Sequence, residues 1–391
     1  MVCCGLALAV GCDAPGGTGA GGTRTLSFGA AVVYGTVPSG VVVVGDLNGD
    51  GKPDIAVASA SELSVLMNQG DGTFAAPVTY VAPAEPTVLA IGDLNGDGLP
   101  DLVLGDSGTP TSEASSGHPG GVSVFMNSGS GVLVASAYYQ PGGGGPASFA
   151  LGDVDGAPGT DLVVGNGSSP YLLANNGDGT FAAPRLITGA PPDASSWSGT
   201  GAYVALGDLD GDGFADLAVA GNGNDVSILP GSRDGTFTST FSYTAGSYFE
   251  GEVLGDVNGD GKLDLVVVNQ FIEALDNSLM AGSVSVLMNN GDGTLALPVA
   301  YSGTSIDYPD GVALGDLDGD GDLDLVVGDS TYMGDSVGVR LNDGTGGFTE
   351  AHSLWTGSLG AFALGDLDGD GMTDLVVSGQ DGLSVLLNRS H

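Results

Sequence analysis

The chain has 391 residues, of which 42% are hydrophobic, and 47 acidic against 7 basic residues give a formal net charge of −40. That balance excludes nucleic acid and anionic membrane as partners, since both need a basic face. The length suits one large or two ordinary domains, and the only cysteines, Cys3, Cys4 and Cys12, stand in the first dozen residues, so no disulfide framework staples the body.

Residues 1–11 are apolar but too short to span a bilayer. Ala9-Val10-Gly11-Cys12, followed by a Gly/Thr-rich stretch over 15–23, resembles a bacterial lipoprotein cleavage site and tether, with Cys12 as the candidate lipidation residue. No Lys or Arg precedes it and the apolar run is short for a signal peptide, so a misplaced start or an ordinary chain end is the competing reading. The expected division is a signal segment over 1–11, a flexible tether over 12–24 and one folded unit over 25–391.

The first apolar run, 41–44, leads into Asp46, Asn48, Asp50 and Asp54, at positions 1, 3, 5 and 9 of a D-x-[DN]-x-D-G-x-x-D frame. The frame recurs at Asp93, Asn95, Asp97 and Asp101. A third copy keeps Asp153, Asp155 and Asp161 but has Ala157 at position 5. Asp208, Asp210, Asp212 and Asp216 form the fourth copy, and Asp256, Asn258, Asp260 and Asp264 the fifth. Asp316, Asp318, Asp320 and Asp324 form the sixth, and Asp366, Asp368, Asp370 and Asp374 the seventh. Carboxylates this close repel one another unless a cation lies between them. Hard, oxygen-only ligands suit Ca²⁺, which accepts six to eight oxygens. Gly319 and Gly321 let the sixth loop curl so that alternate side chains converge, and the Asp322 carbonyl at position 7 is a further candidate ligand. About six Ca²⁺ sites are expected, the third loop being weak or empty. An EF-hand would need Glu at position 12 and flanking helices. Position 12 is Val57, Leu104, Val164, Val219, Val267, Val327 and Val377, so that motif is rejected.

The first Asp of each frame recurs every 47 to 60 residues, a period of propellers, solenoids or arrays. In each repeat one apolar run enters the loop (88–91, 203–206, 312–314, 362–364) and another leaves it (101–104, 216–220, 324–327). Both are apolar on both faces, as buried inner strands require. An alternating third run follows (122–126, 226–229, 284–288, 383–387), then an Asn/Gly/Asp turn, then a fourth run opening on Phe or Leu (74–80, 181–187, 237–243, 295–301, 348–354). Only 273–280 reads as a helical turn or two. Four antiparallel strands repeated seven times predict an all-β, seven-bladed β-propeller. The seventh repeat has no fourth run after Leu387, and 25–34 reads as the strand that completes it, leaving no open edge.

The GDLNGDGxxD loops, together with NxGDGTFAAP turns over 68–77 and 175–184, make the chain resemble FG-GAP/VCBS repeat proteins, the type found in the integrin α-subunit propeller. The resemblance covers about residues 25–388 and implies Ca²⁺ at the first hairpin of each blade, on the residues named above. Two departures stand out: Ala157, and a missing acidic turn over 127–132, assigned to the third repeat.

In such a blade the calcium loops share one face, and the variable insertions (105–120, 188–202, 269–282, 302–311, 328–336) share the other. Long loops on one rim of a rigid scaffold are where binding sits. Trp197, Tyr248, Phe249, Tyr308 and Tyr332 are read as residues of the loops on that face, either to stack on sugar or anchor a protein partner, or to pin their own loops. The expected function is a calcium-stabilised extracytoplasmic binding, adhesion or scaffold module with a protein or carbohydrate ligand. A polysaccharide lyase or hydrolase is the alternative. Its acid–base candidates are His118, His352, Glu85, Glu113, Glu250, Glu252, Glu273 and Glu350, and no nucleophile elbow, zinc pair or phosphate loop accompanies them, so a non-enzyme is expected.

Overall fold

Every Val/Ile/Leu run beside an acidic loop forms a strand. The computed structural model describes residues 26–390 apart from 36, 38, 84, 109–118, 143, 168, 189–201, 222–223, 239–240, 274–278, 281, 304–305 and 331–334. Blade 1 is an antiparallel sheet of Val41–Gly45, Asp54–Ser59, Glu62–Leu66 and Val78–Val81, in that spatial order. The pattern repeats from the inner strands Pro86–Gly92, Pro146–Gly152, Tyr203–Gly207, Ser247–Gly255, Pro309–Gly315 and Ala361–Gly365. Each inner strand touches those of the two neighbouring blades, and the cycle returns from blade 7 to blade 1. The architecture is therefore a seven-bladed, all-β propeller, with no helix among the described residues.

Closure is as expected. Val32–Tyr34 pairs antiparallel with Gly382–Leu386, setting Val32 opposite Val385 and Tyr34 opposite Leu383. Beyond this ladder Phe28 bridges Asn388, and the Arg389 N–H donates to the Ser27 carbonyl at 2.6 Å. The last blade is thus built from both ends of the described chain.

The core lies between blades. In the first blade Val41 and Val43, with Ala56 and Ala58, pack against Leu89 and Ile91 of the second. Val42, Ile55 and Val57 instead pack against Ala361 and Ala363 of the seventh. Period-two side-chain alternation therefore serves two cores at once, which is why these runs are apolar throughout. Seven such clusters, one per seam, hold the ring.

Three expectations need correction. Glu273 ends the strand Asp264–Glu273, and Leu279–Met280 pairs back onto it, so the ends of 273–280 form an extended hairpin rather than a helical turn. The turn over 127–132 joins Pro119–Asn127 to Leu133–Tyr139 and belongs to the second blade, not the third. Apart from Phe348, which opens the strand Phe348–Gly357 as expected, fourth strands begin later than the Phe or Leu that opens the run. Phe74, Phe181 and Leu295 make single bridges only, and the strands Val78–Val81, Arg185–Leu186 and Val299–Tyr301 follow Pro77, Pro184 and Pro298. Proline has no N–H to give a ladder.

One residue breaks the apolar rule of the seams. Three positions before the glycine that ends each inner strand stand Val42, Leu89, Phe149, Val204, Val312 and Phe362, all buried, but Glu252 in blade 5. Small neighbours in blade 4, Ala218 and Ala220, lie at that seam. Both Glu252 carboxyl oxygens are buried without a hydrogen-bond partner. The Ala220 and Ala205 backbones face them without closing a bond, and burial raises the pKa well above 4.5. Glu252→Leu is expected to stabilise the fold by about 1–3 kcal/mol, read from denaturant midpoints at unchanged m-value. The sign with pH follows from the raised value. Above about pH 4.5 the folded state holds a proton that the unfolded chain has lost, so the Glu252 contribution falls as pH rises, by up to about 1.4 kcal/mol per unit. The variant should lose that component, and equal pH slopes in both proteins would contradict it.

Candidate metal centre

Each acidic loop folds on its own side chains. In the first, Asp46 Oδ1 accepts the Gly49 and Asp50 N–H groups at 2.7 and 3.1 Å, and Oδ2 accepts that of Gly51 at 2.7 Å. Asn48 Oδ1 takes the Asp50 N–H, and Asp50 Oδ1 that of Lys52. Asp316 does the same in the sixth loop, where Gly319 and Gly321 hold the left-handed φ values of 75° and 96° expected of them. The third loop lacks the bond to position 6, because that residue is Pro158; only the Gly156 N–H reaches Asp153 Oδ1.

Carboxylate oxygens of Asp208, Asp210 and Asp212 lie within 4.8 Å of one another, as do those of Asp316, Asp318 and Asp320. In the seventh loop the converging set is Asp366, Asp368 and Asp374. Asp153, Asp155 and Asp161 converge equally closely, so the third loop keeps a three-carboxylate cluster in spite of Ala157. Asn48, Asn95 and Asn258 replace one acid in the first, second and fifth loops and offer an amide oxygen in its place. All seven donor sets are oxygen-only, which fits a hard cation. A second observation agrees: Asp368 Oδ1 is buried with no partner, the kind of orphaned atom that an ion or water satisfies.

Position 9 holds more than a candidate ligand. Asp324 is 1% exposed; its Oδ2 accepts the Leu317 N–H at 2.9 Å and its Oδ1 the Asn342 N–H at 2.9 Å. Asp54, Asp101, Asp161, Asp216, Asp264 and Asp374 repeat both bonds. Burial lifts Asp324 to about 7 and Asp54 and Asp374 to about 6; the backbone donors oppose this, and the neighbouring loop carboxylates add to it.

Sequence reasoning missed a third part. Asn342, read only as a turn former, donates through Nδ2 to the Leu323 carbonyl beside Asp324 and to the Val257 carbonyl in the loop of blade 5. Asn68, Asn127, Asn175, Asn289 and Asn388 make the same pair of bonds, tying each loop to the one before it. At the seam between blades 3 and 4 the residue is Gly231, where a Cβ would stand 2.0 Å from the Ala215 carbonyl oxygen, and the clamp is absent. The signal was the Asn that opens these turns, two residues before a glycine in every case but Asn388, where Ser390 follows.

The opposite face is less uniform. Phe249 is buried in the core between blades 4 and 5, so it is not a ligand-contact residue; a bulge between Phe249 and Gly251 changes the side it faces. Tyr248 is half-buried with φ of 57°, and Tyr308 is exposed, its N–H held by Asp329 Oδ1 at 2.6 Å. Trp197, Tyr332, Cys12, His118 and Glu113 lie outside the described residues. His352 lies within the outer strand Phe348–Gly357. Glu250 accepts a 3.0 Å bond from Tyr203 Oη. Asp310, bonded by Ser330 Oγ, is lifted to about 7 by burial and by the charges of Asp329, Glu250 and Asp335. Among the described residues no helix is long and apolar enough to cross a membrane.

Comparison with known proteins places this geometry. An FG-GAP-like repeat family matches residues 46–104, 159–219, 208–267 and 256–327, and an FG-GAP repeat matches 86–125. No curated protein matches the sequence significantly. Among solved structures, an Agrocybe aegerita lectin specific for non-reducing terminal N-acetylglucosamine aligns with a TM-score of 0.58 at 22% identity, over 88% of this chain and 87% of that one. BBS1N in complex with ARL6DN aligns with a TM-score of 0.59 at 14% identity, over 93% and 97%. At these identities the likeness is one of fold. The family matches span more than half of the residues and fall on the acidic loops themselves, and on that ground the chain belongs to the FG-GAP-like repeat proteins.

Proposed function

We propose that the protein is a calcium-stabilised extracytoplasmic binding or adhesion module: Ca²⁺ held in the acidic loops keeps the ring rigid, and the insertion-bearing face meets a protein or carbohydrate. The carrying observation is the convergence of three carboxylates within 4.8 Å in four separate loops. FG-GAP repeats are typical of extracellular proteins, and the relatives of the same fold include one that recognises a sugar and one that binds a protein. In this reading the metal is structural: one loop supplies four or five protein oxygens, and water fills the rest of the shell. Lipidation of Cys12 would tether the module to a membrane.

The test is an ion count by mass spectrometry on the full chain after dialysis against Ca²⁺, followed by glycan and protein binding screens with and without chelator. Six or seven Ca²⁺ per chain are expected. A chain that emerges free of calcium sinks the metal half of the proposal, and binding that ignores chelator sinks the link between metal and face. One observation favours the enzyme alternative: Asp310, near 7, stands among Glu250, Asp329 and Asp335. Asp310→Asn should abolish any polysaccharide cleavage if that reading holds, whereas unchanged turnover would remove it.

A further inference from the structure

We infer that Met67 and Met288 are positioning residues of the first and fifth loops, each drawing the amide N–H of the position-3 Asn aside so that its oxygen is the atom presented to a cation; the inference rests on the calcium reading above. Position 3 is Asn in three loops and Asp in four. In the three Asn blades, the residue just before the clamp position is Met67, Met126 or Met288. In the four Asp blades the same place holds Ala174, Pro230, Leu341 and Leu387. The two choices go together in all seven repeats, although Asn48 and Met67 stand 19 positions apart and Asn258 and Met288 30.

The chemistry of the two side chains accounts for the pairing. A carboxylate offers acceptors only, whereas an amide also has N–H groups to place, and its flip decides whether oxygen or nitrogen faces the loop. Asn48 Nδ2 donates to Met67 Sδ at 3.6 Å while Asn48 Oδ1 accepts the Asp50 N–H at 2.9 Å. Asn258 repeats both contacts, to Met288 Sδ at 3.7 Å and from the Asp260 N–H at 2.9 Å. A thioether is a weak acceptor, and being soft it does not compete for a hard cation. The sulfur is also held from its far side. Met67 Cε fills the space that a Cβ on Gly131 would need in the blade 2 turn, and Met288 Cε does the same at Gly346 in blade 6. Both side chains pack against the seam cores, so an otherwise flexible side chain keeps one place.

The second loop shows where the amide goes otherwise. Asn95 Oδ1 accepts the Asp97 N–H as in the other two, but Asn95 Nδ2 donates to Asp97 Oδ2 at 3.1 Å. The difference tracks position 7 of the frame. Lys52 approaches Asp50 Oδ2 at 3.8 Å and Lys262 approaches Asp260 Oδ2 at 3.2 Å, whereas the second loop has Leu99 there. Without a lysine, the amide turns onto the position-5 carboxylate and occupies an oxygen that a metal would need. Asn258 also reaches toward the Asp260 side chain, so the first loop is the cleaner case to test.

The experiment uses the full chain as wild type, Met67→Leu, Met126→Leu, Asn48→Asp and the double variant Asn48→Asp/Met67→Leu. Crystals soaked at graded Tb³⁺ report each loop through its own anomalous peak, with the fourth loop of the same crystal as reference. Met67→Leu should raise the Tb³⁺ concentration that fills the first loop by about two- to fivefold relative to the fourth, the scale of one weak hydrogen bond. Met126→Leu should leave the second loop unchanged, because the Asn95 amide is already bonded to Asp97. In the Asn48→Asp background Met67→Leu should make no difference, since no amide remains to be oriented. A packing role alone would give the same loss in both backgrounds. That result, a first loop unaffected by Met67→Leu, or an equal shift at the second loop in Met126→Leu overturns the inference while leaving the calcium reading intact. No terbium at any loop in any of these proteins overturns both.

Discussion

Removing calcium is expected to lower the melting temperature of the full chain by roughly 10–20 °C. Extracellular calcium modules bind with Kd on the order of 10⁻⁴–10⁻³ M, so about 10 mM Ca²⁺ stabilises by roughly 1.4–2.7 kcal/mol per site. Six sites in one cooperative ring give roughly 8–16 kcal/mol, and the unfolding entropy of a chain this long converts each kcal/mol to little more than about 1 °C. Two further results distinguish a metal site from a general salt effect. Mg²⁺, which demands near-octahedral geometry and keeps its waters, should stabilise much less. Added NaCl should raise the EGTA melting point only in part, by screening repulsion within the exposed loops. Coincident melting curves in Ca²⁺ and EGTA would leave the Asp-rich frames as turn chemistry alone, which their dense side-chain-to-backbone bonding makes a real competitor.

How much of this was legible in the chain depends on the distance over which each residue acts. The Asp/Asn/Gly frame is local, and residues such as Asp46 and Gly319 sit as their spacing implies. The runs at 41–44 and 54–58 read correctly as two-sided strands because alternate side chains enter different cores. Residues 25–34 could be recognised as a stray outer strand since an unfinished seventh repeat needed one. The Asn clamps were invisible for a different reason. Asn127 looks like a turn residue, and its partner, the Leu47 carbonyl, is 80 positions away in the preceding blade. Phe249 was misplaced because it was read as a loop residue, whereas it lies in the inner strand Ser247–Gly255, where a bulge turns it into the core between blades 4 and 5. Nothing in the local pattern around Glu252 indicates burial; only its alignment with Val42, Leu89 and the other seam residues does.

Asp324→Ala is expected to cost about 2–4 kcal/mol whether or not calcium is present, whereas Asp320→Ala should cost stability only in calcium. The difference follows from where each side chain sits. Asp324 is buried, and its loss leaves the Leu317 and Asn342 N–H groups without acceptors, each worth about 1–3 kcal/mol, offset in part by removing a carboxyl that burial already disfavours. Asp320 is exposed and accepts only the Asp322 N–H, so in EGTA its removal mainly relieves repulsion from Asp316 and Asp318. In calcium the same change removes a ligand and with it up to roughly 1.4–2.7 kcal/mol of linked binding. Chemical denaturation of both variants, each with Ca²⁺ and with EGTA, separates the roles in four measurements. If Asp324→Ala proved harmless in EGTA, position 9 would be a metal ligand and nothing more. If Asp320→Ala were equally damaging in both buffers, the loop would be held by its own hydrogen bonds rather than by an ion. The expected pattern makes position 9 the anchor that presents positions 1, 3 and 5, and it explains why that Asp is present in all seven loops, including the one that has lost its position-5 acid.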